Sequence, residues 1–494
     1  MKNRILYFVS RIWYRNARAS VSHTRYHIPY TEYHSRGVTT LLVVAFMGIF
    51  LLIMGMLTSY IFEQSKYGRA LLAREQAIHI AEAGLEYYKW GLARGVFGLA
   101  STTVKTYTVN DPEGGALGTA TITPTPTLQC GQVQWVNLAS TGTSNASVGF
   151  PRTLNVRYMR KSIAEYSNLF RAIVWYEGDV ISGPAASNAG VHMDGTSNST
   201  VSSAVSSWYC DASGGCDGLN GRPNPSTQAG VFGYGSDSHL WKYPVSTVDF
   251  DGMVSNLETL RGYAQTQGLY FYDASVAGTN SAGWHIILNA NGTITVYRVT
   301  QTYSISAYTP QGQYRTDYDR IRTQFLYGSG TYTPPSGCAL IYVRGTLWLE
   351  GTASGKYTII AADPGSFTPD VILSNNISYQ TGDGTTGLTV IAERSVRIPY
   401  NSPDIASYRG IFVAQNAYFG RDYYFGAGGV RTQVTMAGTV VSATQPVTCW
   451  GSGIPCDEGY NSSVWNYDQI LASQPPPFTP NVSPDYGFTV WREQ

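Results

Sequence analysis

An α+β fold is what this sequence predicts: a long N-terminal helix packed on a small antiparallel sheet, followed by a mainly-β body. Residues 38–62 carry no charge and run, without proline, into a stretch rich in Ala, Glu, Leu and Gln, which favour helix. Beyond residue 100 the chain breaks into short β-branched runs separated by Gly, Pro, Asn and Asp, the pattern of strands and tight turns. Charged residues make up only 13% of the 494, whereas glycine (52) and tyrosine (37) are plentiful. That balance excludes a disordered charged tail, a coiled coil and a Lys/Glu-rich helical protein.

The first element is a basic leader, residues 1–37. Lys2, Arg4, Arg11, Arg15, Arg18, Arg25 and Arg36 stand against Glu32, giving +6; the other 457 residues hold 26 basic and 31 acidic groups, or −5. A basic head on a mildly acidic body is the polarity of a single-pass chain with its head in the cytoplasm and its C-terminus outside. The body lacks the dense basic patch that tight nucleic-acid binding needs, so no nucleic-acid partner is expected.

The second element is a helix over residues 38–93. Its transmembrane part begins at Val38 and ends at Phe62, 25 residues that as a helix would span about 38 Å, enough to cross a bilayer. A secretory signal has a shorter apolar stretch, about 7–15 residues. In the second half Ala70, Ala73, Ala77, Ala81 and Gly84 recur at spacings of three and four, a small-residue stripe on which a sheet can pack.

Arg36-Gly37 before the apolar run, followed at a distance by Ala81-Glu82-Ala83-Gly84-Leu85-Glu86, resembles the type IV pilin-like proteins, in particular the N-terminal region of PilX-type minor pilins. The resemblance covers roughly residues 30–95. It implies cleavage by a prepilin peptidase between Gly37 and Val38, with Val38 as the new, N-methylated terminus. Two positions depart from the family pattern. The glutamate that major pilins carry at the fifth mature position is replaced by Leu42, and the usual first residue, Phe or Met, by Val38. The missing carboxylate points to a rare or terminal subunit rather than the bulk one.

Next comes a small β domain, residues 94–168, with strands expected at 103–109, 116–123, 133–142 and 153–160, broken at 111–115, 124–126 and 149–151. Residues 169–474 read as a right-handed β-helix or similar solenoid, since short apolar runs recur from 340 to 440 at intervals of about 14 to 23 residues; a β-sandwich is the alternative. Segment 206–337 reads as an insertion at one edge, holding a helix over 248–265 and a hairpin around Asn291-Gly292. Residues 475–494 form an extended tail in which Pro475-Pro476-Pro477 acts as a packed strap. Strand arrangement and tail resemble the large ectodomains attached to PilX-like pilins, which implies a solenoid but no activity.

All six cysteines follow the apolar run, in the part expected to meet an oxidising environment, so disulfides are expected. Cys210 and Cys216, and Cys449 and Cys456, are close enough in sequence to staple small loops. Cys130 and Cys338 remain, either joining the small β domain to the body or staying free. Zinc would want closer cysteine spacings with histidine partners, and no metal or cofactor is expected.

No catalytic motif is present. His79, His192, His239 and His285 are scattered singles. Asp363, Asp370, Asp383, Asp404 and Asp422 could converge on one face of a solenoid, as polysaccharide-cleaving chemistry would need, but their Gly/Pro/Asn company suits turns, and the expectation is no enzyme. Asp194 and Asp249–Asp251 are read as turns rather than calcium loops. Trp175, Tyr176, Tyr400, Tyr408, Tyr418, Tyr423 and Tyr424 are candidates for flat contact with a glycan or a surface protein. The expected role is a minor pilin assembled at or near a pilus tip, held first in the cytoplasmic membrane and then at the cell surface, whose partners are other pilins and the peptidase. Alternatives are a secretion-system pseudopilin, a membrane-anchored polysaccharide enzyme, and an uncut anchored surface protein.

Overall fold

The computed structural model describes residues 38–146, 149–219, 221–253, 256–425, 429–451 and 455–494; the leader, with Gly37, lies outside the described residues. The chain divides into two compact units, Met1–Arg69 and Ala70–Gln494. In the first, every described residue is helical and exposed, forming the apolar first part of helix α1 (Val38–Ala93).

The second unit holds the rest of α1 and a large, mostly β body. Ala73, Ala77, Ile80, Ala81, Gly84, Leu85, Tyr88 and Gly91 form the buried face of α1. That face covers an antiparallel sheet of β1 (Lys105–Asn110), β2 (Ala116–Gln129), β3 (Gln132–Ser144), β4 (Arg152–Ser162) and the C-terminal strand Asn481–Glu493, in that order. Small residues meet small residues: a Cβ on Gly84 would lie 2.6 Å from the Ala120 Cβ, and one on Gly142 would lie 2.0 Å from the Ala77 carbonyl oxygen. The Ser140 hydroxyl donates to the Ala81 carbonyl at 2.8 Å, and Ser144 donates to Gln76 Oε1 at 2.8 Å.

Two expectations change here. Strand β2 passes straight through Pro124 and Pro126, because β1 pairs only as far as Ile122 and leaves that edge without need of N–H donors. The tail does not end as a strap alone. Pro475, Pro476 and Pro477 are buried, and the chain then adds its last strand to β4, from Asn481↔Ser162 to Glu493↔Leu154.

The body is built of parallel ladders. The longest runs Leu269–Phe271, Leu340–Val343, Lys356–Ala361, Gly387–Ala392, Ile405–Ala414, Val430–Ser442, then Asn168–Phe170, Ala185–Ser187, Val201–Ser203 and Trp241–Lys242. A second joins Gly283–Leu288, Thr346–Ala353, Val371–Tyr379, Val396–Arg397 and Phe419–Gly420. A third joins Val430–Ser442 to Glu458–Asn466, Val180–Ile181 and Thr196–Ser197. Segment 206–337 is therefore not a simple insertion. It supplies Trp241–Lys242, Leu269–Phe271 and Gly283–Leu288 to the ladders, and leaves them mainly in the long antiparallel pair Ile294–Tyr308 and Tyr314–Tyr332.

The longest ladder is buried on both faces, which explains its unbroken apolar runs. Ile341, Ile359, Val390 and Phe412 point into the main core, whereas Tyr342, Ile360, Ile391 and Ile411 join a second cluster with Leu260, Ala264 and Leu471. Leu260 and Ala264 belong to α3 (Leu257–Thr266), which follows the short α2 (Phe250–Met253). The single helix expected over 248–265 is divided because Asn256 caps α3, accepting from the Thr259 N–H at 3.0 Å.

The buried Asp179, beside the third ladder, accepts from Trp465 Nε1 at 3.1 Å. Burial, opposed by this bond, pushes its carboxyl up to about 7. A folded value above the unfolded one stabilises the fold fully below the ordinary aspartate range, and that stabilisation is lost as pH rises through about 7. Asp179→Asn keeps the acceptor without the charge. Its melting temperature is expected to fall less than that of the parent between about pH 5 and about pH 8; equal falls would refute the assignment.

Candidate assembly stem and recognition surface

Twenty-five exposed, uncharged residues open α1. Among them Val38 is 63% exposed and Leu42 50%, so the position where a carboxylate was missed presents an aliphatic side chain to its surroundings. In water such a surface is unfavourable by about 25 cal/mol per Å²; lipid or another apolar surface would cover it.

A different surface sits on the long antiparallel pair. Tyr308 and Tyr314 face each other across its tip, with ring centroids 5.7 Å apart. Tyr308 lies 5.0 Å from Phe425, Phe425 5.7 Å from Tyr423, and Tyr423 5.7 Å from Trp450, giving a run of five rings. Tyr314 is 60% exposed and Phe425 49%. Tyr308 and Tyr423 exchange backbone hydrogen bonds of 2.9 Å, which pin the tip to the neighbouring loop. Trp450 is held by its Nε1 donating to the Arg421 carbonyl at 2.8 Å. Flat rings fixed in this way suit contact with sugar faces or apolar side chains.

Beneath this tip lies a charge network that sequence reasoning missed. Asp317, Asp319, Asp370, Asp422 and Arg397 are all nearly fully buried. Arg397 bonds Asp317 and Asp319 through Nη2 and reaches Asp370 at 3.3 Å through Nη1. Arg394 holds Asp370 through Nε at 2.8 Å, and Arg315 meets Asp317 at 2.7 Å and Asp422 at 3.1 Å. Tyr424 donates to Asp319 and Tyr418 donates to Asp422. Four aspartates face three arginines in this network. Burial, with Asp422 adding to it, raises Asp319 above the usual carboxylate range. Asp317 and Asp319 come from the strand Tyr314–Tyr332, so the network clamps that strand to the ladders.

The other predicted residues are scattered. Of the five aspartates considered for catalysis, only Asp370 and Asp422 meet. Asp363 pairs with Arg344, Asp383 accepts from its own turn at Thr385, and Asp404 accepts from the Thr432 N–H and hydroxyl. Asp194 pairs with His192 at 2.9 Å, Asp249 accepts from the Gly252 N–H, and Asp251 pairs with Arg171. Of the seven aromatics proposed for contact, Tyr176, Tyr408, Tyr418 and Tyr424 are buried, because they lie on inward faces of strands or under the clamp. Tyr423 alone of that set joins the exposed run.

The cysteines form three disulfides, Cys130–Cys338, Cys210–Cys216 and Cys449–Cys456. The first takes one of the two fates left open for its pair and ties the β2–β3 turn to the body. His192 lies close to Cys210 and Cys216, but the two sulfurs are bonded to each other and its ring nitrogens meet the Gly214 carbonyl and Asp194, which leaves no metal ligand set there.

No protein-family model matches this chain, and no curated protein does. Among solved structures, the crystal structure of the competence-associated pilin ComZ from Thermus thermophilus is similar at 14% identity with a TM-score of 0.28, over 86% of this chain and 98% of that one.

Proposed function

We propose that this chain is a minor pilin-like subunit, cut between Gly37 and Val38, inserted and polymerised through the first part of α1, and carrying a β-solenoid head for attachment or for initiating assembly near a pilus tip. One observation carries the reading: a wholly exposed, uncharged helical stretch is continuous in sequence with a helical stretch whose small-residue face is buried on an antiparallel sheet. The stacked parallel ladders support the solenoid, and the exposed run from Tyr314 to Trp450 supports a surface for recognition.

Mass spectrometry of the N-terminus from native membranes or sheared surface filaments tests it. The expected peptide begins at N-methylated Val38. A chain that still begins at Met1 would overturn processing and polymerisation together and leave a tethered exterior protein.

A further inference from the structure

A cavity of about 440 Å³ opens where the Pro475–Pro477 strap crosses the β2–β3 end of the small sheet and the edge of the longest ladder. Lys356, Trp135, Tyr357, Ser336, Ser354 and Thr385 are among the residues that line it. Lys356 stands at the first position of its strand, and its ammonium donates to the Gln474 carbonyl at 3.0 Å and to Gln474 Oε1 at 3.3 Å. An ammonium has three donors, so one is left over from these bonds. Among the described residues no carboxylate lies within 4.0 Å of it.

A second cation backs the same wall. The Arg157 guanidinium lies 4.9 Å from the Trp135 ring and donates to Asn137 Oδ1 and to the Ser473 carbonyl, both neutral acceptors. Arg157 and Lys356 repel each other, and Arg492 adds to the positive field at Arg157. Partly burying cations with no anion beside them is unfavourable; here Lys356 lines a cavity of the size that takes a small molecule, and Arg157 sits against the Trp135 ring that also lines it. The rest of the lining combines the hydroxyls of Thr127, Ser336, Ser354 and Thr385 and the Trp135 ring with Pro334, Pro335 and Pro477, groups to which a sugar ring can hydrogen-bond and on which it can stack.

We propose that this cavity binds an acidic saccharide, its carboxylate against Lys356 and its ring against Trp135. The site is distinct from the exposed aromatic run and does not depend on the N-terminal processing proposed above, so failure of either leaves the other standing. Burial, with Arg157 adding to it, lowers Lys356 to about 8. The ionisable neighbours are Arg157, charged throughout, and Tyr357, which burial raises. An anion held by Lys356 is therefore released as pH rises past about 8.

The test is calorimetric titration of the full chain in detergent with D-glucuronate, D-glucose and acetate. Glucuronate is expected to bind more tightly than either, to weaken at least about tenfold, or 1.4 kcal/mol, in Lys356→Gln, and to recover in Lys356→Arg. The melting temperature of each variant reports whether it folds, and loss of parental binding above about pH 9 gives the same readout without any substitution. Equal binding of glucose would overturn the role of the carboxylate. Acetate binding as tight as glucuronate would overturn the saccharide, and binding unchanged by both Lys356→Gln and high pH would overturn the site.

Discussion

Gly142→Val is expected to detach the second half of α1 from its sheet. A Cβ at this position would lie 2.0 Å from the Ala77 carbonyl oxygen and 2.6 Å from the Ala81 nitrogen. Both are helix backbone atoms, so no side chain can turn aside to make room. Overfilling a packed interior costs about 1–3 kcal/mol when neighbours can shift. Here the whole helix must move, which also uncovers Ile80, Leu85 and Tyr88, and a loss of at least about 3 kcal/mol is expected. Chemical unfolding of the full chain in detergent measures it, with Thr141→Val as the control on the adjacent residue, whose side chain bonds Thr153 rather than the helix. A loss under about 1 kcal/mol would show that the close approach does not hold the two layers together.

Arg397→Met is expected to cost about 3–5 kcal/mol, the range for removing one partner of a buried ion pair. Asp317, Asp319, Asp370 and Asp422 would lose the cation that all four share. The expected signature is local as well as global: amides of the strand Tyr314–Tyr332 should exchange faster than those of the ladder strands. Arg171→Met provides the contrast. Its partner Asp251 is largely exposed, and its effect is expected to stay under about 1 kcal/mol. If the two substitutions cost the same, the clamp contributes nothing beyond a surface pair.

Much of this architecture was legible in the sequence because it rests on local patterns. The spacing of Ala73, Ala77, Ala81 and Gly84 marked the buried face of α1 directly. Apolar runs such as Leu340–Val343 and Leu388–Ile391 marked strands, and the structure adds that both their faces are covered. The hidden parts depend on distant neighbours. Pro124 and Pro126 looked like breaks, since only the pairing shows that one edge of β2 needs no donors. Asp370 and Asp422 sat in turn-like company, and nothing local indicated that Asp317 and Asp319, about 50 to 100 residues earlier in the chain, would meet them around Arg397. The aromatic tip offered a usable signal. Tyr308 and Tyr314 flank Thr309-Pro310-Gln311-Gly312-Gln313, and reading that Pro/Gly turn as a second hairpin after the one at Asn291-Gly292 would have placed both at its tip.

The strand order has a consequence for biosynthesis. Asn168–Phe170 lies against Val430–Ser442, and β4 lies against Asn481–Glu493, so these earlier segments acquire their neighbours only when the much later ones emerge. Such distant pairings delay folding. A polypeptide truncated before residue 481 would retain an open edge at β4, a ready template for aggregation and a mark for proteolysis. Synthesis through this strand thus acts as the molecule's own quality check: only a copy that carries Asn481–Glu493 can close that edge.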